Sequence, residues 1–328
     1  MSIKVLITPR TFGSSSSGPA DLMRELGYEL VFNPYGRILT EEEMAEHIAD
    51  ADGIIVGLDP LSKEVLARAK NLKVISKYGV GIDNIDLEAA TERGIMVANA
   101  PGTNNVAVAE LAVGLMLDVA RRISLCDRMI RSGQWSKQQG FQLQGKTLGL
   151  IGTGLIGREV AKRAKGFDME IICSDLYPDY EWAESIGASY METGDVLRKA
   201  DVVSLHLPLV KNTYHMISTE QFAMMKETAI LINTARGGLV DEAALLEALK
   251  NGVIAGAGFD VYEEEPPLNS PLRELDNMVL TAHIGAHTKE AATAMAYLSV
   301  ENLRAGLSGS APKFLCNPEV VEAGGGAQ

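Results

Sequence analysis

Residues 148–179, LGLIGTGLIGREVAKRAKGFDMEIICSDLYPD, decide the fold that we predict for this chain. They indicate a buried strand, Thr147–Ile151, then a glycine-rich turn and a helix that runs to residue 164. A second strand, Glu170–Ser174, follows and ends at Asp175. Two strands joined by a helix in this way are the repeating unit of a doubly wound, parallel α/β sheet.

The turn has the spacing G-x-G-x-x-G, with Gly152, Gly154 and Gly157. In a dinucleotide site the first glycine permits a tight turn, the second lets the backbone approach a pyrophosphate, and the third lets the helix pack on the strand. The same spacing also occurs at ordinary strand-to-helix turns. Here the preceding strand, the helix and Asp175, which would bind the ribose hydroxyls and repel the 2′-phosphate of NADP, favour an NAD site.

Composition limits the other possibilities. A chain of 328 residues usually forms two domains, and 46% hydrophobic residues supply both cores. A net charge of -13 argues against a nucleic-acid or anionic-membrane partner, and no apolar run reaches transmembrane length. Three widely spaced cysteines without a C-x-x-C pair or a secretory segment predict reduced thiols in the cytoplasm, with Cys173 as a core residue.

Strands and helices alternate along the chain, which predicts mainly parallel sheets with helices on both faces. We place a first domain at 1–101, a domain containing the glycine turn at 102–286, and a tail at 287–328 that returns to the first domain. The predicted strands of the first domain are 3–8, 29–33, 53–57, 73–77 and 95–98, and those of the second are 147–151, 170–174, 201–207, 229–234, 255–261 and 278–283.

Three further segments have distinct patterns. Residues 105–123 predict one long helix that is apolar nearly all round and therefore buried between domains or subunits. Residues 124–144 could extend this helix into an arm that contacts a second subunit. Residues 241–250 predict a helix capped by Asp241, and residues 289–307 a last long helix. We expect residues 321–328 to be disordered.

Ligands of open parallel sheets bind outside the carboxyl ends of the strands, so residues at those ends are candidates for chemistry. Polar and titratable side chains from distant parts of the sequence converge on these ends. The candidates are Lys77, Asp175, His206 with Leu207 and Pro208, Asn233 to Arg236, Asp260, Glu265 and His283.

Hydride transfer to a 2-keto acid needs a cation for the carboxylate, a proton donor for the oxygen at C2, and a group that keeps that donor protonated. Arg236 suits the first role because a guanidinium can bind two oxygens together. His283 suits the second and Glu265 the third, if the carboxylate reaches the imidazole. Glu263 and Glu264 compete with Glu265 for the third role, and spacing does not decide among them.

The chain resembles the D-isomer-specific 2-hydroxyacid dehydrogenases, most closely the 3-phosphoglycerate dehydrogenase branch. The resemblance implies that Arg236, Glu265 and His283 are catalytic, and so it selects Glu265 among the three glutamates. It implies a Rossmann NAD domain inserted into a flavodoxin-like substrate domain, and a homodimer held by the NAD domains. It further implies cofactor contacts from Leu155, Ile156, Thr213, Thr234, Ala235 and Asp260. The matching segments are GLIGTGLIGREVAKRAKGF, HLPL, INTARGGLVDEAALLEAL, GAGFDVYEEEPP and LTAHIGAHTKEA.

The segment Lys77-Tyr78-Gly79-Val80-Gly81-Ile82-Asp83-Asn84 resembles the family's substrate loop, whose backbone amides receive the carboxylate. Phosphoglycerate-specific members tend to have arginine at the positions of Gly57 and Lys77, so the phosphate would lose bidentate donors here. We therefore predict an NAD-dependent enzyme for a small D-2-hydroxy or 2-keto acid. The leading single candidate is 3-phosphoglycerate, and the alternatives are hydroxypyruvate, glyoxylate or another short keto acid, including an acidic one whose distal anion binds Lys77. The alternative from another class is an NADH-sensing binding protein similar to the C-terminal-binding-protein corepressors.

Overall fold

The computed structural model describes residues 2–324 of the chain. The chain divides into two compact units. The first unit consists of Met1–Asn104 together with His287–Gln328, and the second of Asn105–Ala286. These limits lie within three residues of the boundaries at 102 and 287 that the sequence predicts.

The first unit contains a parallel sheet of five strands in the order β2-β1-β3-β4-β5, the order of flavodoxin-like folds. Apolar residues cover both faces of this sheet, with the last long helix packed on one face. The strands are β1 Lys4–Ile7, β2 Glu29–Phe32, β3 Gly53–Val56, β4 Val74–Lys77 and β5 Met96–Ala98. The helices are α1 Gly18–Glu25, α2 Glu41–His47, α3 Lys63–Arg68, α4 Leu87–Glu92, α12 Lys289–Leu307 and α13 Glu319–Gly324.

The second unit contains a parallel sheet of seven strands in the order β12-β11-β10-β9-β6-β7-β8. Both sheets confirm the predicted α/β class. The strands are β6 Thr147–Ile151, β7 Glu170–Ser174, β8 Ala188–Tyr190, β9 Val202–Leu205, β10 Ile230–Asn233, β11 Gly256–Phe259 and β12 Met278–Leu280. The helices are α5 Asn105–Arg121, α6 Ile123–Arg131, α7 Leu155–Lys165, α8 Tyr180–Ile186, α9 Thr193–Lys199, α10 Thr219–Met224 and α11 Glu242–Lys250.

The prediction of six strands in this sheet was wrong, because β8 adds a seventh at the edge. Its three residues pair in parallel with β7, from Ile171 to Cys173. Residues 188–190 are Ala-Ser-Tyr, which are too few for an alternating pattern and include no β-branched residue. The strand forms because α8 ends at Gly187, whose φ of 67° reverses the chain beside β7.

The single helix predicted over 105–123 is also divided. It ends at Arg121, and Arg122 adopts a left-handed backbone with φ 54° before α6 begins. Asp118 accepts hydrogen bonds from the amide and the hydroxyl of Ser124, which fixes the start of α6. The arm predicted at 124–144 is therefore helical only as far as Arg131.

The helices that the sequence placed at 241–250 and 289–307 are confirmed. Asp241 caps α11 by accepting hydrogen bonds from the amides of Ala243 and Ala244. The predicted disorder was wrong for residues 321–324, which belong to α13, and residues 325–328 lie outside the described residues. Across 2–324, we find no helix that combines the length and the apolar character needed to cross a bilayer.

Candidate active site in the second unit

The glycine turn after β6 has the backbone geometry that the sequence predicts. Gly152 has φ 100°, and a side chain there would place its Cβ 2.5 Å from the carbonyl oxygen of His206. A Cβ at Gly157 would collide with the carbonyl of Gly152, so the helix packs closely only with glycine. Gly154 differs from both, because its φ of -66° is ordinary and no atom lies within 4 Å of a Cβ built there. The folded chain does not require glycine at 154, which indicates space kept for a ligand.

The N-terminus of α7 opens onto this space. Gly154 is its N-cap and supplies no side-chain hydrogen bond to the first turn. Unsatisfied amides and the helix dipole at such an end favour an anion. The first helical residue, Leu155, is 56% exposed beside it, whereas Ile156 is partly buried against the core. The turn and the helix end together fit a dinucleotide pyrophosphate.

Asp175 lies at the carboxyl end of β7, as predicted. Its Oδ2 accepts hydrogen bonds from the amide and the hydroxyl of Thr153, at 2.7 and 2.9 Å, and its Oδ1 accepts one from the amide of Tyr177 at 2.9 Å. Burial alone would raise the pKa of Asp175, but these hydrogen bonds outweigh it, so that the pKa is lowered from 3.8. The carboxylate is therefore ionised at neutral pH, which fits a ribose that carries hydroxyls and disfavours one that carries a phosphate.

His206 lies at the end of β9, directly behind Gly152. Burial of its ring lowers the pKa of His206 from 6.5 to about 4, and Nε2 lies 2.9 Å from the hydroxyl of Ser204. The imidazole is thus neutral at pH 7 and shapes the floor of the turn rather than supplying charge. Thr213 closes the loop that follows, since its hydroxyl donates to the carbonyl oxygen of Pro208 at 2.7 Å. Leu207 is partly buried against the core.

The segment after β10 carries three predicted residues in a row. Thr234 is buried, and its hydroxyl oxygen has no hydrogen-bond partner among the described residues. An orphaned polar atom of this kind indicates a partner outside the protein chain. Ala235 and Arg236 are partly buried, and Arg236 donates to the carbonyl of Ala235 at 2.6 Å. Asn233 steadies the turn by donating to the carbonyl of Arg236 at 2.9 Å.

His283 and Glu265 form the central polar pair of this edge. The Nδ1 of His283 lies 2.7 Å from Oε2 of Glu265, whose Oε1 accepts the amide of Tyr262 at 3.1 Å. Both side chains are about a quarter to a third exposed, at 26% for Glu265 and 32% for His283. Because Nδ1 is held by the carboxylate, Nε2 is the ring nitrogen that can exchange a proton with a substrate. The geometry thus pairs His283 with Glu265 rather than with Glu263 or Glu264.

Asp260 has a different environment from the one its predicted cofactor contact suggests. It is 1% exposed, and both carboxylate oxygens bind groups of the His283 loop. Oδ1 accepts the Thr281 hydroxyl at 2.6 Å and the Ile284 amide at 2.8 Å, while Oδ2 accepts the Gly285 amide at 2.8 Å. Asp260 therefore holds the loop that presents His283.

The predicted substrate loop belongs to the first unit. Lys77 is only 4% exposed, and its Nζ donates to the Gly57 carbonyl at 2.5 Å and to Oδ1 of Asn84 at 2.6 Å. Val80 is exposed, and its carbonyl accepts the Asn99 side chain at 2.7 Å. The Lys77 ammonium thus links Gly57, which follows β3, to Asn84, which lies in the segment after β4. Gly81, which follows Val80, is partly buried.

Sequence reasoning missed two residues that contact the cofactor edge. Thr153 occupies a variable position of the glycine motif, so the spacing assigns it no role, yet it binds Asp175 twice. Tyr190 lies on the strand that was not predicted, and its hydroxyl is 2.7 Å from that of Thr153. All three cysteines are free, and burial raises the pKa of Cys173 to about 12, so that it is a thiol of the core as expected.

The chain is similar to proteins of one family in sequence and in structure. The model of the D-isomer specific 2-hydroxyacid dehydrogenase NAD-binding domain matches residues 113–285. Glyoxylate reductase of Thermococcus litoralis is 47% identical over 288 residues, which are 85% of this chain and 87% of that protein. D-3-phosphoglycerate dehydrogenase of Methanocaldococcus jannaschii is 47% identical over 283 residues, which are 85% of this chain but only 54% of that protein.

Solved structures give the same result. The TT0316 protein of Thermus thermophilus superposes with a TM-score of 0.86 at 40% identity, covering 95% of this chain and 99% of that one. A glyoxylate reductase of Paecilomyes thermophila gives a TM-score of 0.85 at 33% identity, covering 96% and 98% of the two chains. The similarity thus includes both units and not the glycine turn alone.

Proposed function

Because the chain belongs to the D-isomer specific 2-hydroxyacid dehydrogenases, which are NAD-dependent oxidoreductases, we propose that Arg236, Glu265 and His283 are its catalytic residues. The substrate is a small 2-hydroxy or 2-keto acid, and the proposal assigns each residue one task. The observation that carries it is the 2.7 Å pair between Nδ1 of His283 and Oε2 of Glu265, at the same sheet edge as the glycine turn.

NAD, when bound, supplies the nicotinamide that gives or takes the hydride. In the direction of reduction, His283 donates a proton from Nε2 to the oxygen that forms at C2. Glu265 stabilises the imidazolium through Nδ1 and fixes the ring orientation. Arg236 binds the carboxylate and polarises the carbonyl. In the direction of oxidation the neutral imidazole of His283 accepts the hydroxyl proton.

The cofactor contacts are part of the same proposal. Gly152, Gly154 and Gly157, with Leu155 and Ile156, would hold the pyrophosphate, and Asp175 would accept the ribose hydroxyls. The orphaned hydroxyl of Thr234 supports a contact from the segment after β10. His206, Leu207, Pro208, Thr213 and Ala235 would shape the walls of this site, and Asp260 would act indirectly by holding the loop that presents His283. In the first unit, the backbone amides of Val80 and Gly81 would bind the substrate carboxylate.

For the substrate we propose a short keto acid without a phosphate, of the glyoxylate or hydroxypyruvate class. Gly57 has no side chain, and Lys77 is buried, with its ammonium donating to the Gly57 carbonyl and to the Asn84 side chain. Neither residue supplies the exposed bidentate donors that a phosphate favours. Several of the relatives in the comparison are glyoxylate reductases that match this chain over most of their length.

A kinetic comparison tests this choice. NADH oxidation would be followed with glyoxylate, hydroxypyruvate and 3-phosphohydroxypyruvate, and the two unphosphorylated acids should give a kcat/KM at least about tenfold higher. An equal or higher value for the phosphorylated acid would overturn the substrate proposal. Gly57 tolerates a side chain, because its nearest neighbours lie 3.4 Å or more from a Cβ placed at this position. Gly57→Arg should therefore raise kcat/KM for the phosphorylated acid, and Gly57→Ala should not.

The second candidate substrate is 3-phosphoglycerate, because the chain is 47% identical to the D-3-phosphoglycerate dehydrogenase of Methanocaldococcus jannaschii. If this candidate is right, the same protein preparation should reduce NAD when 3-phosphoglycerate is the substrate. An NADH-sensing binding protein would show cofactor binding without turnover of any of these acids. The family's dehydrogenase and reductase members support the enzyme instead.

We further propose a cytoplasmic homodimer that is held by the second units. None of the residues of α6 is buried, and Ile123 and Ile130 on this helix are each 54% exposed. Trp135, which follows, is 86% exposed. Three large apolar side chains exposed on one short segment are typical of a surface that contacts another protein. Light scattering should give twice the chain mass of 35.2 kDa, and Ile130→Glu should reduce it to a monomer; a monomeric wild type would contradict the proposal.

A further inference from the structure

Tyr190 lies on the edge strand β8, and aromatic neighbours fix its ring. The ring of Tyr180 meets it edge-on at 5.6 Å between centroids, and that of Trp182 lies at 6.4 Å. The guanidinium of Arg158 lies 5.0 Å over the Trp182 ring and donates to Asp179 at 2.8 Å. The ring of Tyr190 is therefore held by contacts with two aromatic side chains.

The hydroxyl of Tyr190 starts a hydrogen-bond chain whose direction can be assigned. Thr153 has one hydroxyl hydrogen, which it donates to Oδ2 of the Asp175 carboxylate at 2.9 Å. Tyr190 must then be the donor in its 2.7 Å contact with the Thr153 hydroxyl. The reverse order would set a lone pair of Thr153 against an ionised carboxylate. The chain thus runs from Tyr190 through Thr153 to Asp175.

This chain fixes how Asp175 is oriented. Oδ2 receives two donors from Thr153, and Oδ1 receives the amide of Tyr177, so rotation of the carboxylate would break several hydrogen bonds. Thr153 is only 3% exposed, which protects its contacts from water. The lone pairs of Asp175 that remain for a ligand are mainly those of Oδ1, and their direction is fixed. Tyr177 itself is 82% exposed, so only its backbone takes part in fixing the carboxylate.

We propose that Tyr190 is a positioning residue that sets the preference for NADH over NADPH by fixing Asp175 through Thr153. The inference rests on the proposed function of Asp175 at the ribose. A fixed carboxylate accepts the ribose hydroxyls of NADH without losing rotational freedom on binding. It also cannot turn away from the phosphate of NADPH. A more mobile Asp175 carboxylate should therefore weaken NADH binding, and it should leave the weak binding of NADPH unchanged or improve it.

The test compares Tyr190→Phe with Tyr180→Phe by calorimetric titration of NADH and NADPH, without substrate. Tyr190→Phe removes the hydroxyl that donates to Thr153, and the ratio of NADH to NADPH affinity should fall about fivefold, the effect of one hydrogen bond. Tyr180 is an exposed tyrosine of the same aromatic cluster, and its hydroxyl takes no part in the hydrogen-bond chain. Tyr180→Phe should leave the ratio at the wild-type value.

Variants of Thr153 give an independent readout. Thr153→Val keeps the shape and the amide but removes the hydroxyl, and it should lower the ratio at least as far as Tyr190→Phe. Thr153→Ser keeps the hydroxyl and should restore the wild-type ratio. If Tyr190 only stabilises the fold, NADH and NADPH affinity will fall together and the ratio will stay constant, which would overturn the inference.

Asp175→Ala separates this inference from the proposal on which it rests. A lower NADH to NADPH ratio in Asp175→Ala, with unchanged ratios in Tyr190→Phe and Thr153→Val, would refute the positioning role alone. An unchanged ratio in Asp175→Ala would refute the ribose contact itself. Lower ratios in all three variants, with the largest change in Asp175→Ala, would support both.

Discussion

The second unit contains two histidine–glutamate pairs whose similarities and differences are instructive. His283 pairs with Glu265 at 2.7 Å, and His215 pairs with Glu263 at 3.0 Å, so that both glutamates come from the turn after β11. Both histidines have a left-handed backbone with φ 51°. Residue types, backbone conformation and distance therefore do not tell the two pairs apart.

The pairs differ in the ring nitrogen that is bound. His215 uses Nε2, its outer nitrogen, and its ring stacks on Tyr214 with centroids 3.9 Å apart. Glu263 is also engaged, because it accepts the amide of Glu242 at the start of α11. His283 uses Nδ1, so its outer nitrogen remains for a ligand. The comparison teaches that a catalytic role depends on which ring nitrogen remains available to a substrate. The pair of His215 and Glu263 instead stabilises the start of α11.

The largest difference between the pairs should appear in turnover. His283→Ala removes the proposed proton donor and should lower kcat about 10³-fold, whereas His215→Ala should stay within about twofold of wild type. NADH affinity, measured by titration, should change little in either variant. Loss of NADH binding in His283→Ala would mean that this residue holds the cofactor and is not the acid. A large loss of kcat in His215→Ala would erase the distinction between the pairs.

The glutamates should differ in the same order, with smaller effects. Glu265→Gln keeps a hydrogen-bond acceptor for Nδ1 but removes the charge that stabilises the imidazolium, so kcat should fall about 30-fold. Glu263→Gln serves as the matched control and should leave kcat nearly unchanged. Steady-state kinetics at saturating NADH would measure both. Equal losses in the two variants would show that the charge of the whole turn, rather than the pairing of Glu265, supports turnover.

His206 extends the comparison to a histidine whose partner is a hydroxyl. Its pKa is about 4 in the folded chain against 6.5 when unperturbed, so the unfolded chain binds the proton more tightly. The stabilising contribution of the neutral ring is therefore present above pH 6.5 and is lost as the pH falls, by roughly 2 kcal/mol at about pH 5. Denaturant unfolding should show that the free energy of unfolding of wild type falls relative to that of His206→Gln as the pH is lowered from about 6.5 to about 5. A constant difference would mean that the ring does not stay neutral.

The smallest effect concerns Glu242, which exchanges two hydrogen bonds with Glu263 at the start of α11. Burial, and then the charges of Glu263 and Glu265, raise the pKa of Glu242 from 4.5 although the Glu263 amide lowers it. The folded chain thus binds this proton more tightly than the unfolded chain does, and stability is lost as the pH rises through the raised pKa. Glu242→Gln should gain thermal stability relative to wild type as the pH rises from about 4 to 7. A difference in Tm that shrinks over this range would contradict the assignment.

Much of the cofactor edge could be predicted because local spacing encodes it. The three glycines and Asp175 have fixed positions relative to two strands with clear apolar patterns, and the structure places them as expected. The α/β class and the capped helix α11 followed from the same kind of pattern. The position of His283 at the end of the last predicted strand was enough to make it a candidate, although β12 itself ends at Leu280.

Contacts between distant residues could not be read in this way. Spacing alone left Glu263, Glu264 and Glu265 equivalent, and only the fold shows that Glu265 reaches His283. The edge strand with Tyr190 was missed because three residues form it by pairing with β7, without a pattern of their own. The break at Arg122 depends on a left-handed residue that is not glycine, and nothing in its sequence neighbourhood indicates it.

The most direct test of the central claim is a crystal structure of the enzyme with NADH and a nonreactive keto-acid analogue such as oxamate. The account predicts the analogue's carbonyl oxygen about 3 Å from Nε2 of His283, with the Arg236 guanidinium on the same molecule and Glu265 still on Nδ1. An analogue bound elsewhere, or Arg236 and His283 directed into separate pockets, would contradict it.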